Sequence, residues 1–192
     1  MVEGALHAAA GPAPGARAPI KNQLLDWEGR PLAGFPRYEP SFLRQVFEHL
    51  VTLRTLDERM LKLQRAGRIG FVGSMLGLEA TLVGSALALE PTDWLWSGLR
   101  EGGAALIRGL PLSEYIAQMY CNSNDTAKGR QMCNHFQHKG TNYPSWSSVI
   151  GTQIPHGVGA AFATQQRGER HVHAIFSATG LRPRTASTRA ST

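Results

Sequence analysis

Cysteine is scarce in this chain: 2 among 192 residues, at positions 121 and 133. So few thiols, together with the lack of an apolar stretch suited to a signal peptide, argue against a secreted disulfide scaffold and for a reducing cytoplasm. Long apolar runs are also missing. Each is interrupted well short of the ~20 residues that a spanning helix requires, so no membrane partner is expected. Acidic residues are outnumbered, giving a net charge of +6, but Arg182, Arg184 and Arg189 near the carboxyl end supply half of that excess. The other bases (Arg54, Arg59, Lys62, Arg65, Arg68) alternate with apolar residues at helical spacing, which marks a solvated helix face rather than a phosphate-tracking stripe. No nucleic-acid partner is expected. What remains is ordinary: 42% hydrophobic and 18% charged residues suit one folded domain with a substantial core.

Residues 1–20 are Ala, Gly and Pro with almost no large apolar group, a composition that cannot repay the entropy of ordering. Residues 1–37 are accordingly read as a disordered or extended arm; Glu3, the prolines and the single Arg17 speak against an organellar transit peptide. From 40 to 67, Phe42, Val46, Phe47, Leu50, Leu53, Leu56, Met60 and Leu63 recur at helical spacing, with Ser41 as a cap and Gly67 as the stop. Residues 68–77 form a glycine-punctuated loop. A second helix is predicted over 78–89, its small residues (Ala80, Gly84, Ser85, Ala86, Ala88) permitting close packing against a neighbour. Strand 94–97, helix 100–108 and a helix capped by Ser113 and running to 120 follow. Residues 121–143 are polar, irregular and long, as functional or mobile loops are. Pro155 is expected to open an Ala/Gly-rich helix over 156–165, and 171–176 has strand character.

Three segments could receive an anion or a cation. In SGLREGG (97–103) a chain leaving a strand starts a helix bearing Arg100, and helix starts offer unpaired amide donors to phosphate; a surface ion pair is the plain alternative. KGRQM (128–132) places two cations beside a glycine, although solvated charge explains it equally well. SSVIGTQIP (147–155) gathers hydroxyl and amide groups before a helix, suiting a hard cation, a phosphate or an aminopyrimidine, or serving as an ordinary capped loop. Cys121, Cys133, His135 and His138 have the residue types of a zinc site without its paired spacing, and histidines in a polar loop are usually exposed.

In their order and spacing, the pieces RTLDERMLKLQRAGRIGF (54–71), GLEA (77–80), LREGGAALIRGLP (99–111), KGRQM (128–132) and SSVIGTQIPHGVGAA (147–161) resemble alpha subunits of the dehydrogenase component of 2-oxo acid dehydrogenase complexes, most of all the branched-chain type. The likeness runs from about 38 to 176. It implies an α/β thiamine-diphosphate-binding fold, a parallel sheet flanked by helices, in which 38–176 is a partial cofactor-binding domain with a helical amino-terminal part. By the same resemblance Leu99, Arg100, Ser148 and Ile150 line the thiamine diphosphate, and Ser147, Val149 (through its carbonyl), Thr152 and Gln153 hold a monovalent cation such as K+. The catalytic glutamate would belong to a beta subunit, and no catalytic residue is assigned to this chain. The implied chemistry is decarboxylation of a branched-chain 2-oxo acid or pyruvate, with the acyl group passed to a lipoyl-bearing acyltransferase. Two departures stand out: Leu99 occupies a place where many relatives have tyrosine, and the family's Ser-Pro-Leu-Ala is here 148–151, Ser-Val-Ile-Gly.

After a strand such as 171–176 the family continues with a Gly-Asp-Gly turn and, further on, paired asparagines that ligate Mg2+. Here FSATGLRPRTASTRAST follows instead, without apolar periodicity. Back-translated with one T restored near the Phe176 codon, that tail reads FFGDGATSENGEY. Residues 177–192 are therefore read as an out-of-frame, disordered tail after a single-base deletion. On this reading the Mg2+ ligands are missing, the chain is inactive alone, and a sheet of two strands makes it fold poorly without partners. A non-catalytic helical interaction protein, built on the 41–67 helix, is the main alternative, and a zinc or nucleic-acid module is ranked last.

Overall fold

The computed structural model describes residues 23–177. The expectations of a disordered segment over 1–20 and of an out-of-frame tail fall outside that span, apart from Ser177. The chain divides at residue 42 into two compact units. In the first, the Asp26 carboxylate accepts the backbone N–H groups of Glu28 (3.0 Å) and Arg30 (2.7 Å), an Asx turn that brings Leu25 and Pro31 into an antiparallel bridge.

The elements in chain order are α1 (Pro40–Arg65), α2 (Glu79–Leu87), β1 (Trp94–Trp96), α3 (Gly102–Ile107), α4 (Leu112–Met119), α5 (Gln153–Gln166) and β2 (His173–Ile175), with one 3₁₀ turn at Lys139–Thr141. The end of α1 is as expected. Gly67 takes φ +70, and the N–H groups of Arg68 and Gly67 bond the carbonyls of Leu63 and Gln64, a Schellman stop. Helix starts differ from the sequence reading, each time because of proline or the strand exit. Pro40 itself opens α1, its missing N–H costing nothing in a first turn, so Ser41 lies inside the helix rather than capping it. Extended Pro111 occupies the cap position of α4, not Ser113. Helix α5 starts two residues ahead of Pro155, which the first turn tolerates. Arg100 falls outside α3, because the chain bends after β1 and becomes helical only at Gly102.

Strands β1 and β2 pair in parallel, with Trp94, Leu95 and Trp96 opposite His173, Ala174 and Ile175. Alternation sends neighbouring residues to opposite faces. Leu95 is fully buried in a core built with Leu53, Leu56, Met60, Leu82, Val83, Ala104 and Ala105. The other face carries stacked Trp94, Trp96 and His173 and is covered by α5, whose Thr164 hydroxyl bonds His173 Nε2 at 2.9 Å. A Cβ on Gly157 would lie 2.6 Å from Ile175 Cδ1 and 3.2 Å from Trp96, so only glycine lets α5 approach this closely. With helices on both faces of a parallel sheet, the architecture is α/β.

The helix expected to pack closely does so, since α2 lies against α3 with its Ala86 buried, but the glycines that leave no room for a Cβ are on α3. Gly84 of α2 is exposed and a Cβ there would meet nothing within 4 Å, whereas on Gly103 of α3 it would meet Met75 Sδ at 2.7 Å and Leu53 Cδ2 at 2.8 Å. Beside Ala86, the small residues that matter are Gly102 and Gly103. Residues 121–143 are likewise less solvent-facing than their polarity suggested. Asp125, Cys133, Asn134, His135, Phe136 and Tyr143 are buried, and Phe136 stacks on Tyr115 at 4.1 Å. Asp125 organises the loop from within, its carboxylate accepting the N–H groups of Ala127 and Gly129.

Candidate functional site

Ligands of parallel α/β sheets bind outside the carboxyl ends of the strands. At that end of β1 the chain turns through Ser97, Gly98, Leu99 and Arg100 to the buried Glu101, whose carboxylate accepts the Arg100 N–H at 3.0 Å and the Ser97 hydroxyl at 3.4 Å. The exposed Arg100 guanidinium donates to the Ser74 carbonyl at 2.9 Å. The carbonyl of Leu99 accepts the Asn134 side-chain amide at 2.9 Å, and its side chain offers no donor. Gly73 passes so close that a Cβ would sit 2.6 Å from both Leu99 O and Asn134 Nδ2. This half of the site is therefore tightly fitted backbone with one exposed cation held on the Ser74 carbonyl.

The other half is the loop before α5. Trp146 donates its indole N–H to the Asn134 carbonyl at 3.1 Å and stacks on the His135 ring, 4.2 Å between centroids and 6° from parallel. His135 Nδ1 lies 3.1 Å from the Cys133 carbonyl, and a carbonyl can only accept, so the proton sits on Nδ1. In the neutral ring Nε2 must then accept, and the Ser148 hydroxyl donates to it at 2.6 Å. The Ser148 oxygen keeps its acceptor capacity for a ligand. Next to it, Val149 and Ile150 stand 69% and 62% exposed, an unusual position for β-branched aliphatic side chains.

The four groups assigned to a monovalent cation are near one another in sequence but bond locally. Ser147 Oγ accepts the Val149 N–H at 3.2 Å, and the Val149 carbonyl receives both the N–H (3.2 Å) and the hydroxyl (2.8 Å) of Thr152. Gln153 is buried and donates its amide to the Phe176 carbonyl at 2.8 Å, pinning the exit of β2 to the start of α5. The same amide comes within 3.5 Å of where a Gly98 Cβ would be. Through Gln153 the two halves meet at the carboxyl edge of the sheet.

Elsewhere the sequence proposals separate. Lys128 and Arg130 are exposed, while Met132 of the same segment offers its carbonyl to Gln118 at 2.8 Å. Among the described residues no group of three or more His, Cys, Asp or Glu is arranged to hold a metal, which leaves the zinc alternative without ligands. His135 is buried rather than exposed, with both ring nitrogens bonded, and His138 bonds Thr141 at 3.1 Å. A cleft of about 540 Å³ lined by Trp94, His138, Lys139 and Tyr143 opens by the amino end of β1 and contains none of the proposed cofactor residues. The sequence offers His135 only as a zinc ligand and gives no separate role to Asn134, Trp146 or Glu101. Glu101 lies inside the family-like segment 99–111, whereas the only sequence signal for His135 and Trp146 is that they flank such segments.

Residues 48–180 match the family described as dehydrogenase E1 component. Among curated proteins, the chain is 33% identical to the mitochondrial 2-oxoisovalerate dehydrogenase subunit alpha of Dictyostelium discoideum over 161 residues, covering 82% of this chain and 36% of that protein. It is 40% identical to the Mus musculus protein of that name over 126 residues (66% and 28%) and 39% identical to the Homo sapiens one over 128 residues (67% and 29%). The chain thus spans about a third of the length of the curated relatives it matches.

Proposed function

The chain belongs to the dehydrogenase E1 component family, and from that premise we propose that it carries part of the alpha subunit of a thiamine-diphosphate-dependent 2-oxo acid dehydrogenase of the branched-chain type. The names of its relatives support the substrate class. The observation that carries the reading is the meeting of the 97–101 turn and the 147–153 loop at the carboxyl edge of a parallel sheet, with Ser148 oriented by a histidine of fixed tautomer.

The residues fit the cofactor in kind. Arg100 supplies an exposed cation for a diphosphate, Ser148 a hydroxyl whose oxygen still accepts, and Ile150 an uncovered apolar surface for a heteroaromatic ring. Leu99 contributes fitted backbone rather than a polar side chain. Thiamine diphosphate, when bound, supplies the electron sink that decarboxylation of a 2-oxo acid needs. The protein's part here is positioning: Trp146 and the Cys133 carbonyl hold His135, and His135 holds Ser148. The groups proposed for K+ are Ser147, Val149, Thr152 and Gln153. Binding there would redirect the Thr152 hydroxyl, which now donates to the Val149 carbonyl. Mg2+ would take its ligands from outside residues 23–177.

The exposed Val149 and Ile150 beside Ser148 support a site completed by a second chain, a beta subunit, with a lipoyl-bearing acyltransferase as the acyl acceptor. Co-expression with a branched-chain-type beta subunit tests this. A heteromeric complex on size-exclusion chromatography is the expected outcome, and two separate peaks at high micromolar concentration would count against the reading. The helical interaction-protein alternative predicts no preference for such a partner.

A further inference from the structure

Cys121 lies just beyond α4, with φ +49, and Cys133 stands at the far end of the loop that follows. Contacts at its base close this loop. The Gln118 side-chain amide donates to the Met132 carbonyl at 2.8 Å, and Cys121 Sγ lies 3.6 Å from the Gln118 carbonyl. Gly129 folds back so far that a Cβ on it would be 2.7 Å from the Cys121 carbonyl. Both thiols belong to the same apolar cluster, at the two ends of a loop whose base is closed by the Gln118–Met132 bond, and both are free. Cys121 is half-buried, whereas Cys133 is buried.

We infer that Cys121 and Cys133 are a modification site for low-molecular-weight disulfides, closing to an intramolecular disulfide across the base of the 121–133 loop. The Cys121 thiolate, the more accessible of the two, attacks one sulfur of the small disulfide and expels the other as a thiolate. The Cys133 thiolate then attacks the Cys121 sulfur of the mixed disulfide and displaces the second small thiolate. Two protein thiols are oxidised, one small disulfide is reduced to two thiols, and the two protein protons end on the released thiols. Burial, and then Cys133 itself, raise the Cys121 pKa. The first attack is therefore slow at neutral pH and accelerates as pH rises through the ordinary thiol range. Closure ties down a segment that reaches the proposed site, because the Cys133 carbonyl holds His135.

Incubation of the folded chain with oxidised glutathione tests the assignment. The expected product has lost both thiols together and the mass of two hydrogen atoms, with one cross-linked peptide pair joining positions 121 and 133 and no build-up of a glutathione adduct. Cys133→Ser should stop at a single adduct on Cys121. In concentrated urea the wild-type adduct should accumulate, since unfolding removes the contacts that hold the two ends of the loop together. Folded wild-type chain that accumulates the adduct, forms disulfide-linked dimers, or gives the same product ratio in urea would overturn the inference.

Discussion

Residues 74–79 and residues 147–150 are two loops drawn from family-like segments, and they differ in where their bonding capacity goes. The first is satisfied from inside the molecule: Asp57 accepts the Ser74 hydroxyl (2.6 Å) and the Met75 N–H (3.1 Å), while Glu79 accepts the Gly77 N–H (2.9 Å) and the Arg54 guanidinium (2.6 Å). The second spends one hydroxyl on His135 and turns Val149 and Ile150 outward. The difference teaches that RTLDERM and GLEA are framework, their charges consumed in holding one another, whereas SSVIG presents a face that this chain leaves uncovered.

Asp57→Ala is the strongest way to break the framework half. It strands a half-buried hydroxyl and a buried N–H and empties the site of a buried carboxylate, so urea unfolding followed by tryptophan fluorescence should lose about 3 kcal/mol. Gly103→Ala comes next, with about 1–3 kcal/mol of overpacking against Met75 and Leu53. Gly84→Ala, where a Cβ meets nothing, should instead stabilise α2 by up to about 1 kcal/mol. Equal effects of the two glycine substitutions would refute the assignment of close packing to α3.

Acid sharpens the same contrast. The Arg54 hydrogen bond holds the Glu79 carboxyl below its ordinary value of 4.5, so its stabilisation is complete above 4.5 and disappears as pH falls through the lowered value. Arg54→Met should move the acid-unfolding midpoint upward in circular dichroism. The smallest expected change in stability, within ~0.5 kcal/mol, belongs to Val149→Asp and Ile150→Asp on the uncovered face. These two substitutions should nevertheless abolish complex formation with a beta subunit, whereas Gly84→Ala leaves it intact.

What the sequence made legible was periodic or punctuated. The stripe from Val46 to Leu63 foretold α1, Gly67 its stop, and both strands lie within their predicted ranges. Starts were misplaced because Pro40 and Pro111 take cap or first-turn positions that Ser41 and Ser113 seemed suited to fill. The 121–143 loop was misjudged for another reason: its burial arises from contacts such as Phe136 on Tyr115, 21 positions apart, which no local pattern encodes. His135 went unrecognised as a positioning group because its partners, Trp146 and Ser148, lie across the next loop. Arg100 is legible from its place just after a strand, with a surface ion pair as the plain alternative, and the 147–155 loop from its hydroxyl and amide groups; only the resemblance singles out Ser148 within that loop.

Hydrogen–deuterium exchange of the chain, alone and mixed with a branched-chain-type beta subunit, probes the two-part site most directly. Protection on mixing should concentrate in residues 97–101 and 147–153, leaving 74–79 unchanged because it is already bonded from within. Uniform exchange in both samples, or protection confined to other segments, would contradict the claim that these two loops form one face completed by a partner.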